Sequence, residues 1–299
     1  MTACELASER LRLRVEPAVG GSLLDLSLRS PEGWLPLLRR APEPLRRSSD
    51  AASFVMAPWS NRVRDGRFFF ERREHRLRHP EKHAIHGDVR DRPWAVRAQG
   101  AAELRLALDA GALPDLNFPF PFAAEQRLAL RAARFEQELR LLNTGSTRMP
   151  AGGGFHPYFL HALGDAKEEA RLETRLGGVY PGETPLPSGP PRRLPPELDH
   201  GRLRPVARGL DHCFSEWSGR ALLEWPASGV RARIEANPPL RHLVLYTPPD
   251  QPFFALEPVS HAIDGFNLLA AGQPGTGVAV LEPGAALVLG WSLEIESPA

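Results

Sequence analysis

The chain has 299 residues, of which 42% are hydrophobic and 24% charged, a balance that suits a soluble globular protein with a substantial core. Lys and Arg number 37 against 36 for Asp and Glu, so the net charge is +1 and no basic field points to nucleic acid as a partner. The two cysteines, Cys4 and Cys213, are too few for a disulfide framework and lack metal-ligand spacing; reduced thiols in a cytoplasm fit them better than a single bridge.

MTACELASERLRLRVEP (1–17) places charges where a signal peptide needs an apolar run, and no stretch reaches the roughly 20 apolar residues of a membrane span. A soluble, cytoplasmic chain with no membrane partner is expected. LRLRVEP (11–17) reads as a strand, and LLRRAPEPLRRSSD (37–50) as a solvated loop rather than a binding patch. Strand patterning then recurs in RFFFERR (67–73), WAVRAQ (94–99), ELRLALDA (103–110), EQRLALRA (125–132) and RFEQELRLLN (134–143). In the last of these, Phe135, Leu139 and Leu141 share one face while Glu136, Glu138 and Arg140 share the other, the period of two of a sheet with one buried side.

GDAKEEARLE (164–173) has the composition of a short helix, and the proline-rich YPGETPLPSGPPRRLPPEL (180–198) reads as a long surface loop. Strands resume with ALLEWP (221–226), VRARIEA (230–236), HLVLYTP (242–248) and FFALEP (253–258), and end where Leu287, Leu289, Trp291, Leu293 and Ile295 alternate. Many short strands and 31 prolines argue against a helical fold. The expectation is an all-β chain, a large antiparallel β-sandwich with few short helices, formed by residues 1–299 as one domain.

Four segments combine glycine or proline, an aromatic and a proton donor or acceptor at strand ends: PWSNRVRDGRFFF (58–70), HAIHGDVRDRPW (83–94), GGGFHPYF (152–159) and FFALEPVSH (253–261). GLDHCF (209–214) is a weaker fifth. A metal site would need His75, His79, His83 and His86 on one surface, which Pro80 and the strand-like surroundings disfavour, or His86, His156 and Glu257 as two histidines and a carboxylate. Asp211 with Glu257 could form the carboxylate pair of a glycosidase. GxSxG, phosphate-loop and dinucleotide patterns are absent, and Cys213 has only a neighbouring histidine to commend it. What remains is one acid, one base and a polar pocket with aromatic walls, a set that matches a reaction needing only proton transfers, such as the interconversion of sugar anomers. The glycines before His156 are expected to let the backbone bring that imidazole close to a bound ring.

Taken in order, NRVxxGRF, the histidine–glycine pair, GxHPYF, LDHxF and EPVSH resemble the aldose 1-epimerase (mutarotase) family over nearly the whole chain. The resemblance implies the family's large β-sandwich, a small-molecule sugar as partner, and catalysis with neither metal nor cofactor. His156 would be the acid that protonates the ring oxygen and Glu257 the base on the C1 hydroxyl. Arg62, His86 and Asp211 would bind the sugar, with Asn61, Trp94 and Phe253 as further wall or binding residues. The link GDVRDRPW is shorter than in the best-known galactose mutarotases, which leaves the sugar open. A hexose-6-phosphate 1-epimerase and a non-catalytic sugar-binding protein are the alternatives.

Overall fold

The protein is described by a computed structural model over residues 3–182 and 186–296. Two large sheets dominate, and the strand pairs among the described residues are antiparallel. The nine-stranded sheet runs in the order Arg204–Pro205, Arg171–Thr174, Arg220–Trp225, Val230–Ala236, Ala286–Glu296, Arg134–Asn143, Phe122–Arg131, Glu103–Asp109 and Ala95–Gln99. The eight-stranded sheet orders Arg192–Arg193, Gly178–Val179, Leu210–Ser215, His242–Thr247, Phe253–Val259, Gly154–Phe155 and Val55–Met56, with Tyr158–Leu160 also paired to Phe253–Val259. A four-stranded N-terminal sheet, Cys4–Ala7 to Gly33–Pro36, joins the same core.

The period of two sorts the residues of the larger sheet. Phe135, Leu139, Leu141, Leu289 and Leu293 are buried in the main apolar cluster. The opposite face carries charged pairs between strands: Arg134 with Glu294 at 3.0 Å, and Arg127 with Glu103 at 3.1 Å. Gln137 interrupts the apolar row yet is buried at no loss of hydrogen bonding, because it donates to Gln126 and accepts from the Trp291 indole.

The eight-stranded sheet has two apolar faces, and this difference places the site. Along Phe253–Val259, Phe254 and Leu256 enter the main core, whereas Ala255 and Val259 belong to a second cluster with Phe54, Tyr158, Cys213, Val244 and Ile263. Glu257 sits between Ala255 and Val259 and so shares that second face.

One local expectation gives way. GDAKEEARLE is not helical: its end forms the Arg171–Thr174 strand, and Glu168 turns away to accept hydrogen bonds from Ser228 and the Ala227 amide. The α-helix of the described residues is Gly265–Ala270, too short to show a helical period. Within the proline-rich 180–198 segment, residues 183–185 lie outside the described residues; the remainder holds only the short strand Arg192–Arg193 and a single 3-10 turn at Pro196–Leu198.

The GGGF glycines are also explained differently. None has a positive φ, so conformational freedom is not their use. Each instead lies where a side chain has no room: a Cβ would come within 2.0 Å of the His261 ring at Gly152, 2.4 Å of the Met56 carbonyl at Gly153 and 2.4 Å of the Pro258 carbonyl at Gly154. Gly153→Ala should therefore lower unfolding stability by about 1–3 kcal/mol through overpacking. Denaturant titration checks it, and an unchanged midpoint would show that the backbone here yields freely.

Candidate active site

Glu257 lies on a strand flanked by His242–Thr247 on one side, where Val244 is its register partner, and by the GGGFHPYF segment on the other. That segment meets the same strand twice, at Gly154 opposite Val259 and at Tyr158 opposite Ala255. His156 and Pro157 bridge the two pairings, with the His156 amide donating to the Phe54 carbonyl at 2.9 Å. The result is contact between His156 Nε2 and Glu257 Oε1 at 3.1 Å, with both side chains buried. Phe54 stacks on the imidazole at 4.6 Å between centroids and Tyr158 packs against it at 4.4 Å, which holds the ring in place.

His86 presents its ring nearly perpendicular to that of His156, 5.2 Å between centroids. Asn61 (φ 50°) and His86 (φ 70°) both have left-handed backbone, a region asparagine and histidine tolerate better than most residues. They meet through the His86 amide and the Asn61 carbonyl at 2.6 Å. Gly87 follows at φ 75°, where a Cβ would fall 2.2 Å from the Ala57 carbonyl. Here glycine is required on both counts.

A clamp fixes the SNR segment to the end of the glutamate strand. The Ser60 amide donates to His261 Nε2 at 3.0 Å, the Asp264 amide to the Arg62 carbonyl at 2.8 Å, and the Arg64 amide to Asp264 Oδ1 at 2.9 Å. With Nε2 accepting, His261 carries its proton on Nδ1, which donates to the Ala262 carbonyl at 2.7 Å. Gly152 and Gly265 leave room for this ring. Arg62 thus reaches the site from a braced backbone, its Nη1 donating to Asn61 Oδ1 at 3.0 Å.

Burial dominates the electrostatics. His156 is pushed down to about 3 by desolvation, then by the Arg39 charge. Desolvation also lowers His86 well below the ordinary histidine value and raises Glu257 well above the ordinary carboxylate value, with Asp211 adding to the rise and Arg62 opposing it. Burial thus favours the uncharged form of both members, with the pair's proton on Glu257. Glu257 Oε2, His86 Nδ1 and His156 Nδ1 are buried without a hydrogen-bond partner, so the site has unused polar capacity.

The structure brings His156, Glu257, His86, Arg62 and Asn61 together. Asp211 stands at the margin, exposed, its carboxyl raised by desolvation and drawn back down by Arg62. Phe253 packs edge-on to Tyr158 at 5.2 Å. Trp94 is a correction: its indole is buried in the main core and donates to the Val89 carbonyl at 3.2 Å, so it packs the fold rather than the sugar wall. The early histidines do not converge, since His75 stacks on Phe68 and His83 pairs with Asp65. Among the described residues no three His, Cys, Asp or Glu side chains form a metal-sized group. Cys213 is a free thiol pushed up to about 12 by burial, which removes it as a nucleophile.

Sequence reasoning missed Arg39. The 37–50 run is not a solvated loop throughout: Leu37, Leu38 and Leu45 are buried, and the half-buried Arg39 lies over the Tyr158 ring at 3.5 Å. A leucine pair directly before the arginine was the available signal. His261 and Asp264 were missed because their partners lie about 200 positions away.

A family model described as aldose 1-epimerase matches residues 9–292. The uncharacterised protein YphB of Escherichia coli K12 is 28% identical over 261 residues, covering 83% of this chain and 85% of its own. A candidate aldose 1-epimerase from the same organism superposes with a TM-score of 0.85 at 27% identity, covering 99% of both chains. A galactose mutarotase-like protein from Clostridium acetobutylicum also reaches 0.85, at 19% identity over 98% of this chain and 94% of that one, and shows likeness of fold alone.

The buried histidines make stability depend on pH. His156, at about 3, and His242 and His261, each at about 4, stay neutral when folded, as does His86; once unfolded they bind protons below about 6.5. Glu257 acts oppositely, losing on unfolding above about 4.5 the proton it holds when folded. Asp88 and Asp211, also raised by burial, act as Glu257 does, and His75, His161 and His200, also lowered, act with the other four histidines. The histidines outnumber the carboxyls, so stability falls on acidification by ~1.4 kcal/mol per pH unit for each excess proton taken up. Guanidinium midpoints should be lower near pH 5 than near pH 7; equal midpoints would mean that the histidines already titrate in the folded protein.

Proposed function

The chain belongs to the aldose 1-epimerase family, and from that membership we propose that it interconverts the α and β anomers of an aldohexose by acid–base ring opening and closure. The observation that carries this reading is the buried His156–Glu257 contact at 3.1 Å, which sets a carboxyl and an imidazole within reach of one proton. An unpartnered Glu257 oxygen and a half-buried Arg62 stand beside it.

In the opening step Glu257 takes the proton of the C1 hydroxyl, the C1–O bond becomes a carbonyl, the bond from C1 to the ring oxygen breaks, and His156 protonates the departing oxygen. Rotation about C1–C2 and closure on the other face return both protons. Opening requires the pair as carboxylate and imidazolium, whereas burial at rest favours carboxylic acid and imidazole. The two forms differ only by transfer of one proton across the 3.1 Å contact, and opening itself ends in the uncharged form. Polar groups of a bound sugar around Glu257, together with Arg62, supply the stabilisation that the carboxylate lacks in the empty site. In this reading His86 and Asn61 orient the ring, and Asp211 accepts from hydroxyls at the mouth.

Glu257→Gln should keep the fold and lower kcat by about 10²- to 10⁴-fold, the usual scale for a positioned acid or base. Polarimetry of a freshly dissolved anomer checks it; rates equal to the unaltered protein would remove the base assignment. Sugar binding without accelerated anomer exchange in the unaltered protein would instead favour a binding protein.

The pH profile of kcat/KM should be bell-shaped, with limbs that belong to the pair. Activity is lost at low pH when the pair binds a second proton and at high pH when it loses its only one. The acid limb should therefore lie below the ordinary histidine value of about 6.5, and the alkaline limb above the ordinary carboxylate value of about 4.5. An acid limb at or above 6.5 would contradict the burial account.

A further inference from the structure

Two half-buried guanidinium groups bracket the acid–base pair. Arg62 approaches from the Val259 end of the glutamate strand, held there by Asp264. Arg39 lies toward the Phe253 end, over Tyr158 at 3.5 Å and Phe253 at 4.6 Å. Arg92 and Arg12, also shielded, end on carboxylates, Arg92 on Asp88 at 2.9 Å and Arg12 on Asp25 at 3.3 Å. Arg39 ends on neutral oxygens: Nε donates to the Ala51 carbonyl at 2.8 Å and Nη2 to the Ser49 carbonyl at 2.5 Å. In Arg39 and Arg62 alike, burial outweighs the surrounding negative charges and draws the guanidinium below its ordinary value. A third cation, Arg90, lies 5.8 Å from the Phe54 ring that stacks on His156.

We propose that Arg39, backed by Arg90, binds an anionic group on C6 of the sugar, so that the substrate is an aldohexose carrying a carboxylate or a phosphate there. The inference rests on the epimerase reading and adds to it the substrate class. Sugar connectivity supplies the geometry. The ring oxygen is bonded to C1 and to C5. With C1 directed to Glu257 and the ring oxygen to His156, the C6 group on C5 falls on the flank of His156 away from Glu257. Tyr158 packs against the imidazole, 4.4 Å between centroids, on the Phe253 side of the site, and Arg39 lies on Tyr158. The Arg39 charge also lowers the proton affinity of His156. A neutral hydroxymethyl group would leave the Arg39 charge without a counter-ion, whereas an anion supplies charge-assisted hydrogen bonds to a guanidinium already immobilised by two carbonyls.

The test compares glucose, glucuronate and glucose 6-phosphate by NMR anomer exchange. The unaltered protein should turn over one of the two anionic sugars with kcat/KM at least about 10-fold above glucose, the scale of hydrogen bonds to a charged group. That advantage should shrink as salt is raised. Arg39→Gln should lower the anionic-to-neutral ratio about 10- to 100-fold, and Arg39→Lys should retain part of it. Preference for glucuronate would assign a planar carboxylate, and preference for glucose 6-phosphate a tetrahedral dianion. Glucose handled as well as both anions, or a ratio unmoved by Arg39→Gln in a variant that remains folded, would overturn the anionic subsite while leaving the epimerase reading intact. If no sugar exchanges faster than in buffer, the epimerase reading fails instead. Calorimetric titration of the same three sugars then decides the subsite separately, with equal or weaker binding of both anions overturning it.

Discussion

Contact between a buried carboxyl and a buried imidazole is the constraint on which the site depends. Two ionisable groups 3.1 Å apart without solvent are stable only if they share protons or charge with each other and with their surroundings. The fold meets this condition by making the Phe253–Val259 strand central and letting GGGFHPYF pair with it on both sides of His156. The proline breaks what would otherwise be one continuous strand, and the imidazole stands in the break, gripped by Phe54 and Tyr158. Three glycines before it allow the chain to pass between a carbonyl on one side and a ring or carbonyl on the other.

The same burial that immobilises the pair discharges it. Burial favours the uncharged form of both members, so the other charges around the site are those of the arginines and of Asp211. Each arginine is positioned by a different device. Arg62 depends on a clamp between segments about 200 residues apart in which His261, fixed in one tautomer, accepts from the backbone. Arg39 depends on carbonyls of its own loop and on aromatic faces. The site is therefore rigid in its backbone and positive in its walls, a preorganised setting for polar groups that arrive with a ligand.

How much of this was legible in the sequence varied with the range of the interaction. The strands from 103 to 143, from 230 to 236 and from 286 to 296 declare themselves, because alternation is local and one face of that sheet is charged. Ser22–Ser30 does not, since nearly every residue in it is buried and no alternation survives. His156, Glu257, His86 and Arg62 are visible as short motifs at strand ends. Trp94 falls at the end of one of these motifs, but a tryptophan before a strand has the same appearance whether it lines a pocket or fills a core.

By itself the sequence determined the all-β class, the residue types of an acid–base site and the order in which they occur, because period-two patterning and proline–glycine punctuation act over a few residues. Tertiary structure alone decided which face of the Phe253–Val259 strand carries Glu257 into the site, how near His156 comes to it, and that burial disfavours the charged form of both. It also decided that one arginine of the 37–50 run turns inward while Arg40, Arg46 and Arg47 remain in solvent. Burial and charge proximity are sums over residues distant along the chain, and no local pattern encodes them.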